Sequence, residues 1–219
     1  MATPVSVRAN FPETSVTDSA AGGFVLASAS PRRLQLLAGI GITPDRVVPA
    51  NIDETPISGE KPHHYANRMA AEKAAVTAAL CPDAVVLAAD TVVAIGRRVL
   101  GKPEDRHQAE HYLNLLSGRR HRVLTAIAIA TPQKPAVIQR LVTSQVRMKR
   151  LDSRDLHCYL QSGEWQGVAG GYAIQGLAAS FIPWISGSWS GIVGLPLAET
   201  AALLAVAGIR PIYPAPPSS

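Results

Sequence analysis

Hydrophobic and polar positions along this chain alternate between a short period and a helical one, and the switches between them mark the elements. "FVLAS" (24–28) reads as a brief apolar strand closed by small residues. "RRLQLLAGIG" then turns helical, with Leu34, Leu37 and Ala38 on one face and Gly39 or Gly41 ending it. "DRVVPANI" is a second strand candidate, and "DETPISGEKP" is a polar, turn-rich loop. From Pro62 to Leu80 the period is helical. Tyr65, Met69, Val76 and Leu80 make an apolar stripe there, flanked by Arg68, Glu72 and Lys73. "DAVVLAAD" has the continuous apolar run of a buried strand and ends on a carboxylate, Asp90. "TVVAIGRRVLGKP" reads as a hairpin turning at Gly96.

The second half continues the mixture. "EDRHQAEHYLNLLSGR" predicts a helix with a glycine stop, and "HRVLTAIAIAT" and "AVIQRLVTSQVRMKR" predict two long strands. "SRDLHCYLQSG" predicts a helix with Asp152 as N-cap and Asp155 at N3. A glycine-rich stretch, "GVAGGYAIQG", places Gln175 at the end of a strand. A last helix runs to Val206, with Pro196 in its first turn. Helices alternate with strands and a long hairpin interrupts them, so the class is α/β or α+β with a mixed sheet. A boundary could fall near Thr125 to Thr131, but no linker composition marks one. Residues 1–23 read as a flexible extension, 24–210 as a single domain and 211–219 as a flexible tail.

Composition narrows the partners. The 219 residues are 47% hydrophobic and 17% charged, as in a globular protein with a large interior, and only 5% aromatic, so aliphatic side chains fill it. A formal charge of +5 suits an anionic partner. No basic tail and no aromatic-interleaved basic patch points to a nucleic acid, so a small anionic ligand leads. Cys81 and Cys158 form neither a disulfide framework nor a CxxC pair. They read as reduced packing residues of a cytoplasmic protein. No apolar run reaches membrane-spanning length, and the first 23 residues lack the apolar core of a signal peptide.

Standard nucleotide motifs are missing: there is no GxxxxGK[ST], no GxGxxG after a strand, no GxSxG and no HExxH. His107 and His111 in "HQAEH" read as surface residues of a helix. Candidate chemistry gathers elsewhere. Ser28, Ser30, Arg32 and Arg33 occupy a strand-to-helix junction, a common anion site. Asp90, delivered by a strand end, is suited to act as a base or metal ligand, or alternatively to cap the next turn. Asp53 and Glu54 could join it around a hard divalent cation, or simply be solvated in their loop. Lys73 sits at the rim of the helical stripe, where a lysine ordinarily snorkels. Lys102 is pinned between Gly101 and Pro103. Four cations and two or three carboxylates suit phosphoryl chemistry, which depends on positioning and charge stabilisation.

These blocks, in this order, resemble the Maf (septum formation) family of nucleoside triphosphate pyrophosphatases. The similarity runs through "LASASPRR", "NIDETP", "AAEKA", "AADTVV", "LGKP", "LSGRRHRVLTAIAI", "GEWQGVAGGYAIQG" and "GSWSGIVGLPL", from Leu26 to Leu197. The resemblance implies an elongated, Maf/ITPase-like α/β fold: a mixed sheet with flanking helices and a cleft between two lobes, usually dimeric. It implies hydrolysis between the α and β phosphates, with a divalent cation such as Mg2+ or Mn2+ held by Glu54 and Asp90. Asp90 falls at the position of the proposed proton acceptor. Ser28, Arg32, Arg33, Lys73 and Lys102 fall at phosphate-binding positions.

Arg32, Thr91 and Gln175 match the specificity positions of the branch acting on dTTP and UTP. A 7-methyl-GTP branch would show "SDQV" near position 90 and a glutamate before Gly176, where this chain has "ADTV" and "AIQG". Val168 replaces a lysine common in the family's glycine-rich block. The alternatives are the 7-methyl-GTP activity and a non-catalytic nucleotide-binding regulator of septum formation.

Overall fold

The computed structural model describes residues 22–132 and 134–211, so nearly all of the expected extension and tail lies outside the described residues. Strands β1 (Phe24–Leu26), β2 (Arg46–Val47), β3 (Val85–Ile95), β4 (Arg98–Leu100), β5 (Arg120–Thr131), β6 (Lys134–Arg147) and β7 (Trp184–Ser186) form one sheet. Its order is β2-β1-β3-β5-β6-β7, with β4 also paired to β3. The pairs β2–β1 and β1–β3 are parallel and the rest are antiparallel, so the sheet is mixed. β5 is continuous through Thr125 to Thr131, and no boundary falls there.

Among the described residues six α-helices flank the sheet: α1 (Pro31–Ala38), α2 (Pro62–Leu80), α3 (Arg106–Leu116), α4 (Ser153–Ser162), α5 (Trp189–Val193) and α6 (Leu197–Val206). α4 starts with the capping box expected from Asp152 and Asp155. No helix among the described residues is long and apolar enough to cross a membrane.

Side chains alternate across β3 and divide the core. Val86, Ala88, Val92 and Ala94 pack toward α2 with Ala66, Ala70 and Ala74. Val85, Leu87 and Ala89 face the other side, with Leu37 of α1 and Leu203 and Leu204 of α6. A third cluster, including Leu113, Tyr159, Trp165 and Tyr172, fills the end near α3 and α4.

Several details differ from the sequence pattern. The buried face of α2 is Ala66, Met69, Ala70, Lys73, Ala74 and Thr77, whereas Val76 and Leu80 are exposed. Alanines at that face let the helix lie close to the sheet, and tertiary packing overrides the larger apolar residues. In α1 only Leu37 is buried, while Leu34 and Ala38 are exposed. β2 is only two residues long. Gln175 lies in a turn, not at a strand end. Cys81 is a buried free thiol, but Cys158 is exposed and does not pack in the core.

Asp90 is the main correction. It lies in the middle of β3, not at its end. The physical role expected of a strand end belongs to β1. β1 covers one edge of β3 only over Val85–Leu87, and β4 covers the same edge only over Val93–Ile95. Between them that edge is unpaired while the opposite edge continues along β5. The chain leaving the carboxyl end of β1 opens a crevice over this gap, and Asp90 and Thr91 lie in it.

Candidate active site

A cavity of about 470 Å³ occupies the gap, within the roughly 300–1,000 Å³ usual for small-molecule sites. Its lining draws on the β1–α1 turn, the loop at Glu54, α2, β3, Lys102, the glycine-rich segment and α5. Ser28, Arg32, Arg33, Glu54, Lys73, Asp90, Thr91 and Lys102 are all among the lining residues. With Ser30, nine of the eleven candidate residues named from the sequence are therefore brought together, and Asp53 and Gln175 are not. The side chain of Gln175 is exposed and lies outside the cavity lining. The backbone turns sharply there, with the Gly176 amide donating to the Ala173 carbonyl at 3.0 Å. The Glu164 carboxylate occupies the space where a Cβ on Gly176 would lie, so this glycine makes room for a carboxylate instead of a base. Asp53 turns into its own loop, its carboxylate accepting from the Thr55 amide at 2.9 Å, and is not in the lining.

Because Asp90 and Thr91 are consecutive in a strand, they project to opposite faces. On the α2 face, the Lys73 ammonium lies 2.7 Å from Asp90 Oδ1 and 2.8 Å from Glu54 Oε1. Lys73 does not snorkel; it is 8% exposed and reaches inward from the alanine face. Partial burial alone would push the Glu54 carboxyl up. The hydrogen bond and charge of Lys73, with Lys102 and Arg33 nearby, hold it below the usual glutamate value. The other oxygen of each carboxylate takes no hydrogen bond or ion pair among the described residues.

On the Thr91 face lies Arg33. Its Nε donates to the Gly194 carbonyl at 2.9 Å, and its two terminal nitrogens donate to Ser28 Oγ at 2.8 Å and Thr91 Oγ1 at 3.4 Å. All three acceptors are neutral. Burial lowers the Arg33 pKa, against an opposing pull from Asp90. Ser28 also accepts the Ser30 amide at 3.2 Å, so its hydroxyl proton is left for a ligand. Arg32 spans the mouth and donates to the Gly167 carbonyl at 3.2 Å. The first turn of α1 has no acidic residue and no side-chain cap, and it lines the cavity.

The glycine-rich wall depends on one residue in particular. Gly170 has φ +71°, and a Cβ there would come within 2.8 Å of Val93. Its amide donates to the Gly101 carbonyl at 2.9 Å, tying this wall to the turn that presents Lys102. Val168 lines the cavity, so no cation enters from that position.

Two supporting residues escaped the sequence reading. Tyr65, counted there with the apolar stripe, donates its hydroxyl to the Glu54 carbonyl at 2.7 Å. Burial, reinforced by Asp90 and Glu54, pushes its phenol up to about 12. Arg68 clamps Glu60 at 2.7 Å and the Thr55 carbonyl at 3.2 Å, fixing the loop that carries Glu54. A hydroxyl within the helical stripe and an arginine at its flank were the available signals.

The family profile of Maf-like proteins matches residues 23–207. The chain belongs to the Maf-like family. It is 60% identical over 189 residues to a Cereibacter sphaeroides protein named dTTP/UTP pyrophosphatase, covering 86% of this chain and 96% of that one. A Caulobacter vibrioides protein of the same name is 53% identical over 193 residues, covering 88% of this chain and 100% of its own. The solved Staphylococcus aureus Ham1 protein overlaps 57% of this Maf-like chain and 71% of its own, at 18% identity and a TM-score of 0.41, too slight a likeness to bear on the argument.

Proposed function

We propose that this Maf-like protein is a nucleoside triphosphate pyrophosphatase that converts dTTP and UTP to the monophosphate and pyrophosphate. The observation that carries this reading is Arg33. A half-buried guanidinium held among the described residues by a carbonyl and two hydroxyls keeps its full charge for an incoming anion. Charge-assisted bonds to phosphate oxygens are stronger than the neutral ones it makes in the free protein. Arg32, Lys73 and Lys102 border the same cavity, enough positive charge to hold a triphosphate. The shared name of relatives at 53–60% identity supports the substrate.

Asp90 is the proton acceptor in this scheme. A water oxygen bonds to the α phosphorus as the bond from that phosphorus to the α–β bridging oxygen breaks. The water proton passes to Asp90, and pyrophosphate leaves. Lys73 offsets the charge of both carboxylates and keeps them fixed beside the phosphates.

No group of three or more acidic, histidine or cysteine residues among the described residues forms a ready metal cage. The free oxygens of Glu54 and Asp90 nevertheless suit a hard cation completed by substrate oxygens, the usual manner for Mg2+. Such a cation would neutralise developing charge on the phosphates.

Arg32 and Thr91 line the cavity and are assigned the reading of the base and sugar. A panel of dTTP, UTP, CTP and 7-methyl-GTP with product identification tests the proposal. Efficient turnover of the first two to monophosphate and pyrophosphate is expected, and preference for 7-methyl-GTP or binding without turnover would refute it. Gln175→Glu should keep the wild-type order of preference, and an inverted order would place this residue in the substrate path.

A further inference from the structure

We infer that Thr125 is a positioning residue for this site, resting on the nucleotide-binding reading of the cavity. Thr125 stands on β5 directly opposite Thr91 on β3, on the same face of the sheet, and is 1% exposed. Its hydroxyl lies 2.7 Å from the Gly191 carbonyl in α5 and 3.2 Å from Thr91 Oγ1. Thr91 in turn meets the Arg33 guanidinium, and Arg33 Nε reaches the Gly194 carbonyl at the end of α5. The contacts close a ring: Arg33, Thr91, Thr125, Gly191, then through α5 to Gly194 and back to Arg33.

The ring has a physical consequence. A guanidinium binds through a rigid fork, so its direction is set by the acceptors that hold it. Two of those acceptors, Thr91 Oγ1 and the Gly194 carbonyl, belong to different elements, β3 and the turn ending α5. Thr125 joins those elements through its contacts to Thr91 and Gly191. Removing its hydroxyl leaves the Gly191 carbonyl without this donor and frees the Thr91 rotamer, while β5 itself keeps its β-branched residue if valine is used. Small misplacements of binding groups are costly in sites built on positioning. Thr125 therefore acts on substrate through Arg33 and Thr91 without touching it.

The test compares Thr125→Val and Thr125→Ser with wild type, measuring kcat and KM for dTTP together with Tm. T125V should raise KM by about tenfold, the scale of one lost hydrogen bond, and T125S should restore it to within about threefold. An unchanged KM in T125V, with only Tm or the active fraction reduced, would show a merely structural residue and overturn the inference. A T125S as impaired in KM as T125V would assign the effect to packing and overturn it equally. Arg33→Lys in the same assay keeps the two readings apart. If R33K is impaired and T125V is not, only the role of Thr125 falls. If R33K binds and turns over dTTP as wild type does, Arg33 does not hold the substrate and the inference about Thr125 falls with it; if wild type itself neither binds nor turns over dTTP, the cavity reading falls.

Discussion

Lys73 shows how a single residue is read differently by period and by contact. By helical spacing it is a rim lysine; in the fold it is buried between two carboxylates from a loop and a strand. Breaking a buried pair by removing one partner leaves uncompensated charge. Lys73→Met should therefore lower stability by about 3 kcal/mol, measured by urea unfolding at neutral pH, and depress turnover as well. Part of that loss should reverse in acid, because Glu54 can then protonate. The sign follows from its lowered pKa: the stabilisation from the folded-state carboxylate is complete above 4.5, its ordinary value, and is lost as pH falls through the lower folded value. The gap between K73M and wild type should narrow as pH drops below 4.5, and a constant gap would contradict the pairing.

At the scale of elements, the loop before α2 is tied to that helix through Arg68. Arg68 holds Glu60 well below the ordinary value, at about 2, and Glu60 also accepts the Ile57 amide at 3.1 Å. Arg68→Met should loosen the segment carrying Glu54 without touching the cavity, since Arg68 is not in its lining. The expected outcome is a higher Mg2+ concentration for half-maximal turnover, with dTTP affinity changed less. Equal Mg2+ dependence in R68M and wild type would show that the clamp has no bearing on Glu54. α2 also explains why boundaries were easier to read than faces. Pro62 and the change of period marked the start of the helix, and its observed span is Pro62–Leu80. The buried face could not be found from side-chain size, because the sheet selects alanines that allow close approach.

Across the whole molecule, the sequence showed which residues would meet but not what brings them together. The small, polar and cationic residues between β1 and α1 marked an anion site, and that inference needs only local chemistry. The gap between β1 and β4 depends on strand register, which no local pattern records, so Asp90 looked like a strand end. Gln175 lies in a turn, not at a strand end, for a related reason: the glycine-rich segment packs so closely on Val93 and Glu164 that a Cβ at Gly170 or Gly176 would meet them, and no local pattern records that approach.

A second long-range pair is expected to add a pH dependence of its own to stability. His121 Nε2 and the Tyr172 hydroxyl are 2.7 Å apart, and the other ring nitrogen of His121 is buried without a partner among the described residues. Burial lowers its pKa from 6.5 to about 4, so the unfolded chain takes up the proton first. Stability should fall as pH drops from 6.5 toward 4, and His121→Gln, which can still bond Tyr172, should flatten that slope. Thermal melts across this range check it; identical slopes would mean that the histidine is not the titrating group.

The most direct test of the proposed chemistry is pyrophosphate release from dTTP by wild type and Asp90→Asn, at saturating Mg2+ and with matched Tm. Asparagine keeps the shape of the side chain and removes its capacity to take a proton. Wild type should release pyrophosphate and the monophosphate in equal amounts, and D90N should be slower by about 10²–10⁴-fold, the range for a positioned general base. A folded D90N that turns over dTTP at the wild-type rate, or a wild type that releases phosphate and the diphosphate, would contradict it.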